Sequence, residues 1–275
     1  MKAGDHYKIY IQPALETLDQ ADLGVQIGPI NSGVSCVADD VLLTSDSQTK
    51  LQSLLDIASH YGKIYRVQYG ASKTKITITG SEIDSSYFQE ARPWKMDGEV
   101  IDVVCDNDHL GQIVSGGQQE QKNIDSRISK ARKSLFSLLG VGLDSKSLLS
   151  PAVKLHLYRT YTSPILRSGL QIFALRKNQI EPLSLFQRKT IKSFLRLFKC
   201  APTPSVYFLS GELPVEAKIH RDMFNIFYCL WTNPNTKVNQ IVRHCLQTSY
   251  LLYKLFQSEK FDYTFLRVLG SLVVF

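Results

Sequence analysis

The sequence predicts an α+β fold in its first part, antiparallel strands with helices over residues 1–118, followed by an all-α part over 119–200 and 201–275. Three observations carry this expectation. Val34–Val37 and Val41–Leu43 are short, β-branched-rich apolar runs on either side of the polar turn Ala38-Asp39-Asp40, the pattern of a β-hairpin. Strand-like and helix-like stretches alternate up to about residue 118. From residue 123 the alternation stops, and Ile124, Ile128, Ala131, Leu135 and Leu138 recur at intervals of four, three, four and three, the period of a helix.

In chain order, Tyr7–Leu23 reads as an amphipathic helix on Ile9, Ile11, Ala14, Leu15 and Leu18, stopped by Gly24. Val25–Ile30 reads as a strand that Asn31-Ser32-Gly33 turns into the hairpin. Ser45 or Asp46 is placed to cap a helix over Gln48–Tyr61, with Leu51, Leu54, Leu55 and Ala58 as its core stripe. Tyr65–Tyr69, Lys75–Thr79, Val100–Val104 and Gln112–Val114 have strand character. In the helical part, Gly140 is placed to end the first helix. A second helix runs from Ala152 to about Ser163 between Pro151 and Pro164, and a third over Leu183–Phe198. Ala201-Pro202-Thr203-Pro204 is a stiff break before helices over Leu213–Trp231 and Val238–Phe256, joined at Asn233-Pro234-Asn235.

The 275 residues suit one large or two ordinary domains, and 44% hydrophobic content supports a core. The net charge of +7 is unevenly spread: residues 121–200 hold 16 Lys and Arg against Asp125, Asp144 and Glu181, a balance of +13, and the rest carries −6. Such polarity points to a polyanionic partner for the middle segment, with Arg127, Lys130, Lys133, Arg188, Lys189, Lys192 and Arg196 as candidate phosphate contacts. Tyr158, Tyr161, Phe173, Phe186, Phe194 and Phe198 are interleaved with these bases and read mostly as core. The five cysteines are far apart, with no C-x-x-C pair, which predicts neither zinc nor disulfides and fits an intracellular protein of nucleus or cytoplasm. The start of the chain does not read as a secretory signal, no apolar run approaches a membrane span, and the apolar stretch Val268–Phe275 is too short for one. His60, His109, His156, His220 and His244 have no metal-ligand spacing. No glycine-rich phosphate loop, G-x-S-x-G or internal repeat is present.

The Asp-Asp hairpin is the chemical centre of the sequence. Adjacent carboxylates repel, and burial without a partner costs several kcal/mol, so a divalent cation is a natural companion; Mg²⁺ takes hard oxygens from one or two carboxylates and completes its shell with water and phosphates. The hairpin resembles the catalytic motif of reverse transcriptases, an apolar strand leading into Ala-Asp-Asp. Gly70-Ala71-Ser72-Lys73-Thr74-Lys75-Ile76 is similar to the lysine-bearing segment that follows it in that family, and His109-Leu110-Gly111-Gln112-Ile113-Val114-Ser115 to the turn that grips the primer. Gly211-Glu212-Leu213-Pro214 and the Ile219-His220-Arg221 helix resemble the region beyond the thumb in non-LTR retrotransposons, so the likeness covers nearly the whole chain.

The resemblance implies a partial polymerase-like palm over 1–118, a basic helical thumb over 119–200 and a helical extension over 201–275. It implies two-metal nucleotidyl transfer by an RNA-directed DNA polymerase in the complete enzyme, with an RNA template, a DNA primer and dNTP as partners. Asp39 and Asp40 would hold Mg²⁺, and Lys73, with Lys75 as rival, would neutralise or protonate the leaving pyrophosphate. His109, Leu110 and Gly111 would contact the primer. Val37 stands where the family has an aromatic, and Gly70 where it has Asn. The third metal carboxylate, the fingers and a Gln-Gly turn would precede residue 1, and Asp5 and Asp22 do not match that carboxylate, so the chain alone is expected to be inactive. A non-catalytic nucleic-acid-binding module and a helical interaction or scaffold protein are the other readings.

Overall fold

A computed structural model of the chain describes residues 3–67, 69–70, 72–79, 93–138, 149–234 and 236–256. The expected cap at Gly140 and the apolar stretch from 268 to 275 lie outside them. The chain is mixed α+β and divides into two compact units, Met1–Gly117 with Leu230–Phe275, and Gln118–Cys229. The boundaries expected from the sequence fall after residues 118 and 200.

The first unit opens with α1 (Ala3–Gln20), which buries Ile11, Ala14 and Leu18 at helical spacing and leaves Ile9 exposed, against the expectation that Ile9 belongs to the stripe. The expected strand over Val25–Ile30 is instead a hairpin, β1 (Val25–Ile27) and β2 (Ile30–Ser32), because Gly28 at φ 61 and Pro29 turn the chain within it. β3 (Val34–Val37) and β4 (Asp40–Leu43) form the expected antiparallel pair, registered Val34 to Leu43 and Val37 to Asp40. In α2 (Gln48–Tyr65) the cap is Ser47, whose hydroxyl accepts from Lys50 N, and not Ser45 or Asp46. Ser45 Oγ donates to Leu23 O at 3.0 Å, and Asp46 pairs with Lys50. Leu51, Leu54, Leu55 and Ala58 are buried as read, in one core with Leu18, Leu43, Ile76, Trp94, Met96, Ile101 and Val103.

The strand expected over Tyr65–Tyr69 does not form among the described residues: α2 runs through Tyr65, and Arg66 caps it at φ 56. Beyond come β5 (Lys75–Ile76), β6 (Lys95–Met96), β7 (Glu99–Val100), β8 (Asp102–Val103), β9 (Asp106–His109) and β10 (Gln112–Ser115). The described strands make five separate two-stranded pairs, and one, β5 with β8, is parallel where only antiparallel pairing was expected. A helix near the other end of the chain, α9 (Lys237–Phe256), belongs to this unit: Lys237 is ion-paired with Asp19, and His244 lies against the Gly28 turn, where a Cβ would collide with its ring.

The second unit is helical. In α3 (Gln119–Ser137), Ile124 and Ala131 are fully buried and Ile128 and Leu135 pack at the core margins, as the four-three spacing requires. The second helix continues through Pro164: α4 (Pro151–Leu157), capped by the Ser150 hydroxyl, passes through a π-helical turn, Tyr158–Thr162, into α5 (Ser163–Arg167). The wider turn, with Ser163 N bonded to Tyr158 O, absorbs a proline that has no N–H to give and would crowd an α-helical carbonyl. A 3₁₀ turn (Leu170–Ile172) precedes α6 (Lys177–Phe194), which takes Pro182 into its second turn and ends four residues before the expected Phe198. α7 (Thr203–Ser210) starts inside the expected Pro-rich break, with Pro204 in its first turn, and α8 (Val215–Thr232) follows.

One buried carboxylate ties this unit together. Glu212, its side chain 3% exposed, accepts from Arg159 Nε on the π-turn and from Lys218 Nζ on α8, and Arg159 Nη2 donates to Ser210 O at 2.7 Å. Burial, and after it the charge of Glu212, push the Tyr158 phenol well above its ordinary range, so it stays neutral. Glu212→Ala leaves two cations facing an emptied site and should cost this unit about 3 kcal/mol or more, somewhat offset because Arg159 is half in water. Denaturant unfolding followed by circular dichroism checks this; Glu212→Gln, which keeps the shape and one acceptor, should fall between the two.

Candidate functional site

The Asp-Asp turn is a two-residue hairpin loop. Ala38 has φ 57 and Asp39 does not share the positive value, which is the φ pattern of a type II′ turn; glycine is usual at its first central position, and alanine there costs about 1 kcal/mol. The alternation of the strands turns Val34, Cys36, Val41 and Leu43 partly or fully inward, while Val37, Ala38, Asp39 and Asp40 are exposed. The expectation that buried acids demand a cation is therefore corrected: both carboxylates keep their water. As donors they still suit Mg²⁺, which is held by one or two carboxylates and fills its other positions with water and phosphate. Among the described residues no group of three or more His, Cys, Asp or Glu is placed to hold a metal ion.

The lysine segment forms a tight turn, closed by Lys73 N and Thr74 N on Gly70 O at 2.9 Å each, and this leaves the Lys73 side chain exposed. Lys75, its rival, is ion-paired with Asp102 at 2.5 Å, so the sheet uses its charge. His109, Leu110 and Gly111 close the β9–β10 hairpin, with Leu110 at φ 50 and Gly111 at φ 76, the two positive values of a type I′ turn. Leu110 is exposed, and Gly111 supplies a conformation that most residues resist. The three motifs sit on three different strand pairs, β3–β4, β5–β8 and β9–β10, in the chain order read from sequence.

The basic residues sort by environment. Arg127 is buried, a correction to its reading as a phosphate contact: it lies one turn from Ile124 and Ala131, on the packed face of α3. Arg188 is ion-paired with Glu181 at 2.6 Å, and Lys192 donates to Lys199 O at 2.8 Å. Lys133, Lys189 and Arg196 are exposed and Lys130 is half-buried. Tyr158, Phe173 and Phe194 are core, as read, but Phe198 is 84% exposed and Tyr161 is exposed as well. Two features were missed in the sequence, the Glu212 cluster and the placement of Phe198. No signal marks the first, because its members are 53 and 6 residues apart; the lack of a glycine after α6 hid the second.

No family model matches the chain, and no curated protein matches it in sequence. No described helix is long and apolar enough to cross a membrane.

Cys36 is a reporter for the turn. Its thiol hydrogen-bonds Ala38 O at 3.2 Å, and burial, then the charges of Asp40 and Asp39, push its pKa up. A raised pKa means less thiolate at pH 8, so Cys36 should alkylate more slowly than a thiol with the ordinary pKa. Asp40→Asn removes one of the charges that hold the thiolate off, lowers the pKa and should speed alkylation, measured by mass spectrometry of the modified peptide. A divalent cation bound at the carboxylates should act in the same direction on the unmutated chain.

Proposed function

We propose that the chain is part of a reverse transcriptase of the non-LTR retrotransposon kind, contributing the Asp-Asp turn of the palm and a basic helical thumb. The observation that carries this reading is the hairpin itself: two adjacent exposed carboxylates, Asp39 in the tip and Asp40 beside it, on a β-ribbon whose inward face is apolar, followed in order by an exposed lysine turn and a Gly-containing hairpin turn. Asp39 and Asp40 would hold Mg²⁺, which when bound supplies a Lewis acid for the primer hydroxyl and the leaving pyrophosphate. Lys73, solvated and cationic, would meet the pyrophosphate of a dNTP, and His109–Gly111 the primer backbone. With a two-carboxylate donor set, the chain by itself would bind template and primer without joining nucleotides. A second reading, a nucleic-acid-binding module without catalysis, is favoured by the exposure of Lys133, Lys189 and Arg196, which serves binding whether or not chemistry follows.

Primer extension on an RNA template with Mg²⁺ separates these. The chain alone should not extend; supplied with an upstream palm segment bearing a third carboxylate it should. In the completed enzyme Asp39→Ala should then lower the rate by several orders of magnitude and Lys73→Ala by about 10² to 10⁴. An Asp39→Ala enzyme as fast as its parent would overturn the assignment of the turn.

Binding has its own test. The logarithm of affinity for duplex should fall linearly with the logarithm of salt, by about 0.9 for each DNA phosphate neutralised, and Lys189→Ala should reduce the slope by about one such step. Arg127→Ala should leave the slope unchanged and lower the unfolding midpoint, because that side chain is packed inside the unit. Affinity flat in salt would remove both readings.

A further inference from the structure

The connection between α6 and α7 holds an aromatic ring in water on a rigid mount. α6 ends in a Schellman motif: Arg196 takes the left-handed position at φ 52, Leu197 N bonds back to Lys192 O at 2.9 Å, and Arg196 N to Ser193 O at 3.3 Å. Ala201 N then bonds to Phe198 O at 3.0 Å, and Lys192 Nζ reaches Lys199 O. Leu195, Leu197 and Ala201 pack against the core of Leu155, Tyr158, Ile191, Phe194 and Val206, while Arg196, Phe198 and Lys199 are exposed. The backbone is thus pinned on both sides of a phenylalanine that is 84% exposed. A partner that covers a ring held on so fixed a support gains its burial without having to order the backbone.

Charge chooses the partner. Residues 181–211 contain Arg188, Lys189, Lys192, Arg196 and Lys199 against one acid, Glu181, which pairs with Arg188. Arg196 and Lys199 flank Phe198 in the chain and are exposed with it, so a strand whose base lies on the ring meets a basic surface. We propose that Phe198, flanked by Arg196 and Lys199, is a stacking platform for an unpaired base of single-stranded nucleic acid. An aromatic face within a basic surface serves single strands of any sequence, because every base has a π-face, whereas a base inside a duplex is already stacked and offers only its edges. The inference rests on the reading of this unit as nucleic-acid-binding and narrows it to single strands at one place.

The test measures full-chain affinity for a short single strand, for the same strand in a duplex, and for an abasic strand of equal length. Phe198→Ala, whose folding is checked by circular dichroism, should weaken the single strand roughly tenfold, within the about 5- to 150-fold carried by one base–aromatic stack, and leave duplex and abasic strand unchanged. Phe198→Trp should restore the affinity, and its added fluorescence, taken as the difference from the parent, should be quenched by the single strand only. If the parent binds both forms and Phe198→Ala changes neither, or changes both equally, the platform is wrong while the nucleic-acid reading stands. If the parent binds no nucleic acid, that reading falls and the platform with it. If Phe198→Ala instead alters self-association without nucleic acid, the ring serves a protein contact and the proposal is overturned.

Discussion

The buried carboxylate of Glu212 is the constraint on which the helical unit depends. A charge so deeply placed is tolerated only with its valences filled, and Arg159 and Lys218 fill them from the π-turn and from α8. The same contact sets the end of α7: Gly211 takes φ 62, the chain reverses, and Ser210 O receives the second donor of Arg159. The π-turn that swings Arg159 into place is in turn the device that lets the helix pass Pro164. One electrostatic arrangement and one backbone irregularity thus meet at Arg159.

In the other unit local backbone cost and exposure go together. Ala38 at positive φ is less comfortable than a glycine, and the turn it makes presents both aspartates to solvent. Lys75 shows the opposite outcome for a charge in a similar segment: it stands beside β8, where Asp102 engages it, while Lys73 two residues earlier remains exposed in its turn. Neighbouring residues of like charge can therefore have different roles, and the strand pairing decides which.

Much of the fold was legible because it follows from periodicity. The stripe Leu51, Leu54, Leu55, Ala58 and the spacing of Ile124 and Ala131 named buried residues correctly, since a helix has only one way to turn such residues inward. The hairpin was legible for the parallel reason that two apolar runs around a polar pair have one favourable register. The errors have local causes. Gly28-Pro29 hid a turn inside an apparent strand, and Arg196 stands in the left-handed position that glycine usually marks, so α6 ends earlier than its pattern suggests.

By itself the sequence determined where most of the long helices lie, though not α7, and also where the acidic hairpin lies and which third of the chain is basic, because these are properties of spacing and composition along one dimension. Only the tertiary structure decided which charges are available. Arg127 is as basic as Lys133 in the sequence, yet its place on the packed face of α3 buries it; Phe194 and Phe198 are four apart, yet the helix ends between them and sends one ring to the core and the other to solvent. Burial depends on what the rest of the chain brings against a residue, and those neighbours come from distant positions that no local pattern encodes.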